Sequence, residues 1–524
     1  LSHAGEREVN IGEWIVKRSL LTPEKNAMVY LDKGKEVIVS YRQLNANANA
    51  VAHYFLSQGI KKGDKVAVLL NNCNEFLEIY FAAAKIGAVL VPLNYRLAPR
   101  ELQYQIKDSH SRMLIYHEAY LDKVKDISPQ IPIKADDFCV VGQNRLSGVT
   151  YGEVLSGYSF KEPEIKEPVG LDDPQIIMYT SGVSGVPKGV LMSHRKTFYN
   201  TLNADIYYDS IRPQDVFYSP LPLFHSAGIF MIAMPTLYKG ATYLTTNSFD
   251  PSQCLKLIEK YKVTIFVAIT TMVRFILDSA DLGDYDVSSL RYFLSGGEKT
   301  PLGMIEKLAE RGIHMAQVFG QTETSTLLSL PPADALRKIG SVGLPVFHCQ
   351  VKLVDNQDRE VPRGEVGEIV AKGPIVMMEY WNNPEETAKA LANGWHHTGD
   401  LGRIDQDGYF YIVDRKKDMY RSGGENVYPA EVEKILYNHP AVCEAAVIGV
   451  PDQKWGETGL AFIVPYQEAE VTEEELKEYL AGKVAKYKIP AYFEFVSDLP
   501  HTASGKVKKS ALGGSTSRLL EKES

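Results

Sequence analysis

Cysteine is scarce and scattered. The five in this 524-residue chain (Cys73, Cys139, Cys254, Cys349 and Cys443) form no CxxC pair, which argues against a zinc-ribbon layout and suits free thiols in a reducing compartment. No HExxH spacing offers a zinc site, and no Gly-x-Ser-x-Gly elbow marks a serine hydrolase. Basic residues do not dominate either: 57 Lys and Arg against 65 Asp and Glu give a formal net charge of −8, so no nucleic-acid partner is expected. Long apolar runs are missing. The most apolar stretch, 79–93, carries Lys85 in its middle and is too short to span a bilayer. The first six residues, Leu1-Ser2-His3-Ala4-Gly5-Glu6, contain no apolar core of signal-peptide length. No transmembrane segment is expected, and a cytoplasmic location is the default. Internal repeats and long low-complexity segments are also absent.

What is present is an ordinary globular composition, 45% hydrophobic and 23% charged, over a length that calls for two or more domains. Short apolar runs at 65–70, 175–179, 263–268 and 291–294 alternate with amphipathic segments at 75–86 and 251–261. This alternation predicts an α/β architecture with helix-covered sheets. From about Val351 the runs at 351–354, 367–371 and 408–413 read as strands with tight turns, a β-rich subdomain. After Asp414-Arg-Lys-Lys-Asp418 a helix at 429–437, strands at 445–450 and 460–464 and a charged helix at 473–480 predict a small α+β unit. The charge run itself reads as an exposed, solvated turn.

The sharpest motif is Tyr179-Thr-Ser-Gly-Val-Ser-Gly-Val-Pro-Lys-Gly189, directly after an apolar strand. Its glycines let backbone N–H groups turn toward an anion, Thr180, Ser181 and Ser184 add hydroxyl donors, and Lys188 supplies charge. Walker A would place Gly immediately before the Lys; here Pro187 stands there.

With this loop the chain resembles the adenylate-forming superfamily of acyl-CoA synthetases, aryl-CoA ligases, luciferases and adenylation domains. Further motifs follow in family order: Leu294-Ser-Gly-Gly-Glu298, Phe319-Gly-Gln-Thr-Glu323, Gly394-Trp-His-His-Thr-Gly-Asp400, Asp414-Arg-Lys-Lys-Asp418, Ser422-Gly-Gly-Glu-Asn426 and Thr502-Ala-Ser-Gly-Lys506. The resemblance implies an N-terminal AMP-binding region at 1–413, a hinge at 414–418 and a mobile C-terminal domain at 419–524. It implies an enzyme that uses ATP, Mg²⁺ and coenzyme A to convert a carboxylic acid, fatty or aromatic, into its CoA thioester through an acyl-adenylate.

The same resemblance distributes the roles. Thr180, Ser181, Gly182, Ser184, Gly185 and Lys188 would hold ATP phosphates; Val183 replaces the usual hydroxyl residue and is given no contact. Phe319, where the family has Tyr, would stack on adenine beside Gly296, Gly297 and Glu298, within a nucleotide segment that also takes in Gly320 and Gln321. Thr322 would meet the α-phosphate and Glu323 would ligate Mg²⁺, which needs only one or two protein carboxylates. Asp400 and Arg415 would bind the ribose hydroxyls. Lys506 would stabilise charge developing at the α-phosphate. Gly423 and Gly424 would line the CoA tunnel, and Lys417 would sit at the pivot. His225, in Pro222-Leu-Phe-His-Ser226, matches a position at the acyl pocket, with Gly228, Ile229, Thr271 and Ser295 as further pocket candidates. His396 and His397 read as structural.

Two rival readings stand beside this one. An adenylating enzyme that loads a carrier-protein thiol would keep most of these motifs; no carrier-like segment is fused, and no Asp stands near Leu223-Phe-His225 to hold an amino-acid ammonium. A catalytically silent nucleotide-binding homologue is opposed by the joint presence of Lys188, Glu323, Asp400, Arg415 and Lys506. A homodimer is left open.

Overall fold

The computed structural model describes residues 10–32, 34–180, 186–279, 282–296, 300, 302–422, 425–452, 455–466, 469–481, 483–501 and 507–512. The chain forms two compact units, Leu1–Val351 with Ala371–His397, and Lys352–Val370 with Thr398–Ser524.

The first unit holds two large mixed sheets, one of eight strands and one of nine. The short apolar runs form their parallel centres because a strand covered on both faces can be apolar throughout. Lys65–Leu69 pairs in parallel with Val89–Pro92 and Ser111–His117 in the eight-stranded sheet. In the nine-stranded sheet Ile265–Val267, Tyr292–Gly296 and His314–Gln321 run parallel in succession. The predicted helices are present at Asn74–Ile86 and Pro251–Tyr261. The apolar stretch 79–93 resolves into the end of the first of these and the strand Val89–Pro92. Lys85 within it is buried and paired with Glu162 at 2.6 Å. Among the described residues no helix is long and apolar enough to cross a membrane.

Each sheet changes character once in a way that matters here. After Pro174–Thr180 the chain turns back antiparallel as Lys188–Ser193, and after His314–Gln321 it turns back as Ser325–Leu330. Parallel strands need long crossovers, whereas antiparallel neighbours can be joined by a few residues. Thr180 and Lys188, inside the phosphate-loop motif, end and begin the first of these strand pairs, and the Gln-Thr-Glu motif occupies the hairpin turn of the second.

In the second unit Val442–Asp452 and Gly456–Pro465 form a long antiparallel pair, with Tyr492–Phe495 added in parallel. Helices Pro429–Leu436 and Glu473–Leu480 bury Val432, Leu436, Leu476 and Leu480 in a core with Val447, Ala461 and Ile463. Thr472 caps the second helix, accepting from Glu475 N at 3.2 Å while Glu475 Oε2 accepts from Thr472 N at 2.8 Å, a reciprocal arrangement that satisfies two free donors. This is the α+β unit the sequence predicts. The charge run before it departs from expectation: Asp414 is buried, and its carboxylate accepts from Ala430 N at 2.8 Å.

Candidate active site

Thr180 and Lys188 are direct cross-strand partners. Tyr104 Oη donates to Pro187 O at 3.3 Å. Ser181, Gly182, Ser184 and Gly185 lie outside the described residues. Lys188 has a partner the motif does not reveal: its Nζ lies 2.7 Å from Glu386 Oε2, and that bond, with a second from Lys389, holds the Glu386 carboxyl below its ordinary range. The same ammonium stands over the Tyr380 ring at 4.6 Å from the centroid, within cation–π range. An anion approaching Lys188 therefore competes with an existing carboxylate.

Tyr380 is placed by the short strand Glu379–Tyr380, which pairs antiparallel with Lys188–Ser193. Its hydroxyl donates to Glu323 Oε1 at 2.8 Å. Burial, and next the Glu323 carboxylate, push the phenol well above its ordinary range, so it remains a donor at neutral pH.

Glu323 sits in the second hairpin turn, which is tightly determined. Gly320 is required there, because a Cβ on it would stand 1.7 Å from Ser325 O. Gln321 O accepts from Thr324 N at 3.2 Å, and Thr324 Oγ1 accepts from Gln321 N at 3.2 Å. Ser325 closes the turn at φ 55°, a left-handed conformation that non-glycine residues adopt at some cost. Met377 N donates to Glu323 O at 2.7 Å. Thr322 and Glu323 are both half-buried. A half-buried carboxylate whose Oε1 accepts from a neutral hydroxyl suits a hard cation that keeps several waters, so Glu323 fits Mg²⁺.

Behind the turn lies Lys196, which the sequence reading does not single out. It is fully buried in the first turn of the helix His194–Tyr207. Its Nζ donates to Thr322 O and to Ser325 Oγ, each at 2.9 Å. Burial pulls the ammonium down to about 7, opposed by the Glu323 carboxylate.

Phe319, half-buried, precedes the turn on His314–Gln321, and Gly296 is register partner to Val318 at the end of the neighbouring strand. Gly297 and Glu298 lie outside the described residues. Gln321 Oε1 is 3.4 Å from Nε2 of the buried His396.

His225 is exposed and accepts at Nδ1 from Ala227 N at 3.3 Å. It introduces a π-helical stretch, Ala227–Ala233, a geometry common at functional sites. Buried Asn72 anchors the approach, accepting from Leu223 N at 2.8 Å and donating to Leu221 O at 3.0 Å. Gly228 has a packing role that the pocket reading overlooks: a Cβ there would lie 2.3 Å from Pro222 O, so close backbone approach alone demands glycine. Ile229 is fully buried. Ser295 is also fully buried, its hydroxyl bonded to Thr270 Oγ1 at 3.1 Å, while Thr271 beside it is half-buried.

In the second unit Asp400 and Arg415 are cross-strand partners, with Arg415 Nε 3.1 Å from the buried Asp400 carboxylate. Lys416 N donates to Gly399 O at 2.9 Å. Lys417 is exposed in the turn that follows, where Asp418 N donates to Arg415 O at 3.0 Å. Gly423, Gly424 and Lys506 lie outside the described residues.

Comparison with known proteins shows which family the chain resembles over nearly its whole length. The chain is 38% identical to a feruloyl-CoA synthase from Amycolatopsis sp over 504 residues, covering 96% of this chain and 98% of that one. It is 36% identical to the long-chain-fatty-acid–CoA ligase FadD13 of Mycobacterium tuberculosis, over 96% and 98% of the two chains. The solved o-succinylbenzoate CoA synthetase of Bacillus subtilis, in complex with its acyl-adenylate, superposes with a TM-score of 0.84 at 33% identity, over 95% and 97% of the chains. The same enzyme is also solved with ATP and a magnesium ion. Residues 17–381 match the AMP-binding enzyme family and residues 431–506 match the AMP-binding enzyme C-terminal domain, and the chain belongs to that family.

Proposed function

We propose that this enzyme is an AMP-forming acid–CoA ligase acting on a fatty or aromatic carboxylic acid. The observation that carries the reading is the link from Lys188 through Tyr380 to Glu323, which ties the base of the phosphate loop to the candidate metal carboxylate. The relatives are named as a feruloyl-CoA synthase, a long-chain-fatty-acid–CoA ligase and a 2-succinylbenzoate–CoA ligase. The small and apolar candidates around His225 suit that range.

The reaction has two halves. A carboxylate oxygen of the acid attacks the α-phosphorus of ATP, the bond to the β-phosphate breaks, and pyrophosphate leaves. The CoA thiolate then attacks the acyl carbonyl, and AMP departs with the electrons of the mixed-anhydride bond. Lys188 leaves Glu386 to meet the β- and γ-phosphates, with the donors of 180–185 around it. Bound Mg²⁺ would supply neutralising charge to the phosphate oxygens. Glu323 would hold it, with Tyr380 fixing the carboxylate. Thr322 presents its side chain to the α-phosphate, Phe319 takes the adenine face, and Asp400 with Arg415 takes the ribose hydroxyls. Lys506 stabilises the charge that builds as two anions join, an effect greatest in the transition state. Residues 419–524 supply Lys506 to the first half and Gly423 and Gly424 to the second, pivoting at 414–418. The five free cysteines fit a cytoplasmic setting.

The test is ATP–pyrophosphate exchange and AMP release across fatty, alicyclic and aromatic acids, with and without CoA. Exchange with one class of acid and CoA-dependent turnover are expected. Exchange with no acid would refute catalysis; turnover only with a carrier protein would replace CoA as acceptor.

A further inference from the structure

Lys196 is an unusual residue to bury. It lies at the third position of the helix His194–Tyr207, its own N–H donating to the cap Ser193 Oγ at 3.3 Å. A cation is disfavoured there, because the helix N-terminus carries partial positive charge. A buried ammonium is also costly unless its donors are satisfied. Its acceptors are Thr322 O and Ser325 Oγ, each 2.9 Å away, and the Phe230 ring lies 5.3 Å from Nζ. These two acceptors flank Glu323 on either side, so one side chain clasps both ends of the turn that presents the carboxylate. The turn needs such a clasp, since Ser325 is held at φ 55° and Gly320 packs against Ser325 O. The same helix meets the next residue, with Tyr207 Oη 3.3 Å from Thr326 Oγ1.

We infer that Lys196 is the positioning residue of the metal and α-phosphate turn: its ammonium, bonded to Thr322 O and Ser325 Oγ, sets where Thr322 and Glu323 point. It acts from the buried side of the turn, opposite in role to Tyr380, which orients the Glu323 carboxylate directly. The inference rests on the proposed role of Glu323 for its catalytic consequence, but the geometric claim stands apart from it.

Two variants test it. Lys196→Met keeps the length and apolar stem and removes the donors; Ser325→Gly removes one acceptor while easing the positive φ. The first readout is amide hydrogen exchange across 320–326 in the ligand-free protein. Lys196→Met should raise exchange there about tenfold or more, as expected for losing hydrogen bonds to a charged group, with 65–69 and 265–267 unchanged. Ser325→Gly should raise it by less. The second readout is the Mg²⁺ concentration for half-maximal pyrophosphate exchange, which should rise about tenfold in Lys196→Met. A folded Lys196→Met with unchanged exchange across 320–326 overturns the inference. Should Lys196→Met not fold, unchanged exchange in Ser325→Gly does so. If exchange rises while Glu323→Gln leaves the Mg²⁺ requirement untouched, the clasp is upheld and it is the metal assignment that fails.

Discussion

Lys188 and Glu323 are joined through one side chain: the Lys188 ammonium lies 4.6 Å over the Tyr380 ring, and the Tyr380 hydroxyl donates to Glu323 Oε1 at 2.8 Å. Two motifs separated by more than a hundred residues thus share a support that belongs to neither. Met378 N donates to Leu191 O at 2.9 Å and Trp381 N to Gly189 O at 2.7 Å, so sheet pairing on either side of Tyr380 holds it beside Lys188.

Tyr380→Phe removes only the hydroxyl and keeps the ring beneath Lys188. The KM for MgATP is expected to rise about threefold to tenfold, with kcat falling less, as for loss of one hydrogen bond to a charged group. Steady-state kinetics against ATP at fixed Mg²⁺ measures it. Unchanged kinetics would show that Glu323 is oriented without this bond.

Lys506→Ala should cripple adenylation by on the order of a hundred- to a thousandfold while sparing thioester formation from supplied acyl-AMP. Pyrophosphate exchange reports the first half and acyl-CoA release the second. Equal losses in both would refute the assignment of Lys506 to one half-reaction.

Lys417 is exposed in the turn after Arg415, where a pivot must absorb a φ/ψ change. Proline fixes φ near −65°, so Lys417→Pro should uncouple the half-reactions, preserving adenylation and stopping acyl transfer. The same two assays decide it. A variant that runs both halves at wild-type rates places the pivot elsewhere.

Glu78 predicts a pH effect on stability remote from chemistry. It is fully buried, and burial raises its carboxyl from 4.5 to about 7, although Tyr151, Asn47 and Asn74 all donate to it. The unfolded chain releases this proton near 4.5 and the folded chain only near 7. The contribution of the protonated form is thus complete below 4.5 and is lost as pH rises to 7, at most roughly 3 kcal/mol. Glu78→Gln keeps the shape without the titration. Chemical denaturation at pH 5 and pH 8 should show the variant gaining on wild type at the higher pH; a constant difference would mean that Glu78 titrates normally.

The strands at the sheet centres were readable because burial on both faces leaves an uninterrupted apolar run, and the helices because their apolar positions repeat on one face. The family was readable for a different reason, the fixed order of its motifs along the chain. Lys196 was not, since Ser-His-Arg-Lys near a helix start looks like a solvated charge until a turn 126 residues away is packed over it. Tyr380 and Glu386 belong to no phosphate pattern and meet Lys188 only through strand pairing and the following helix. Asp414 stands among five consecutive charges that read as solvated, and its burial depends on a partner, Ala430 N, sixteen residues on. Gly228 carries a second demand that its motif does not display, the close approach of the Pro222 carbonyl.

Cross-strand pairing of Thr180 with Lys188 separates two kinds of sequence freedom. The anchoring points themselves are held by ladder bonds outside the segment, so a change such as Val183 in place of a hydroxyl residue leaves them untouched. Within the strands, no such latitude exists: a slip of one residue would turn Lys188 to the opposite face of the sheet, away from Tyr380 and Glu386 together. Deleting one residue from 188–193 would therefore cost the ammonium both of its neighbours at once, Tyr380 and Glu386.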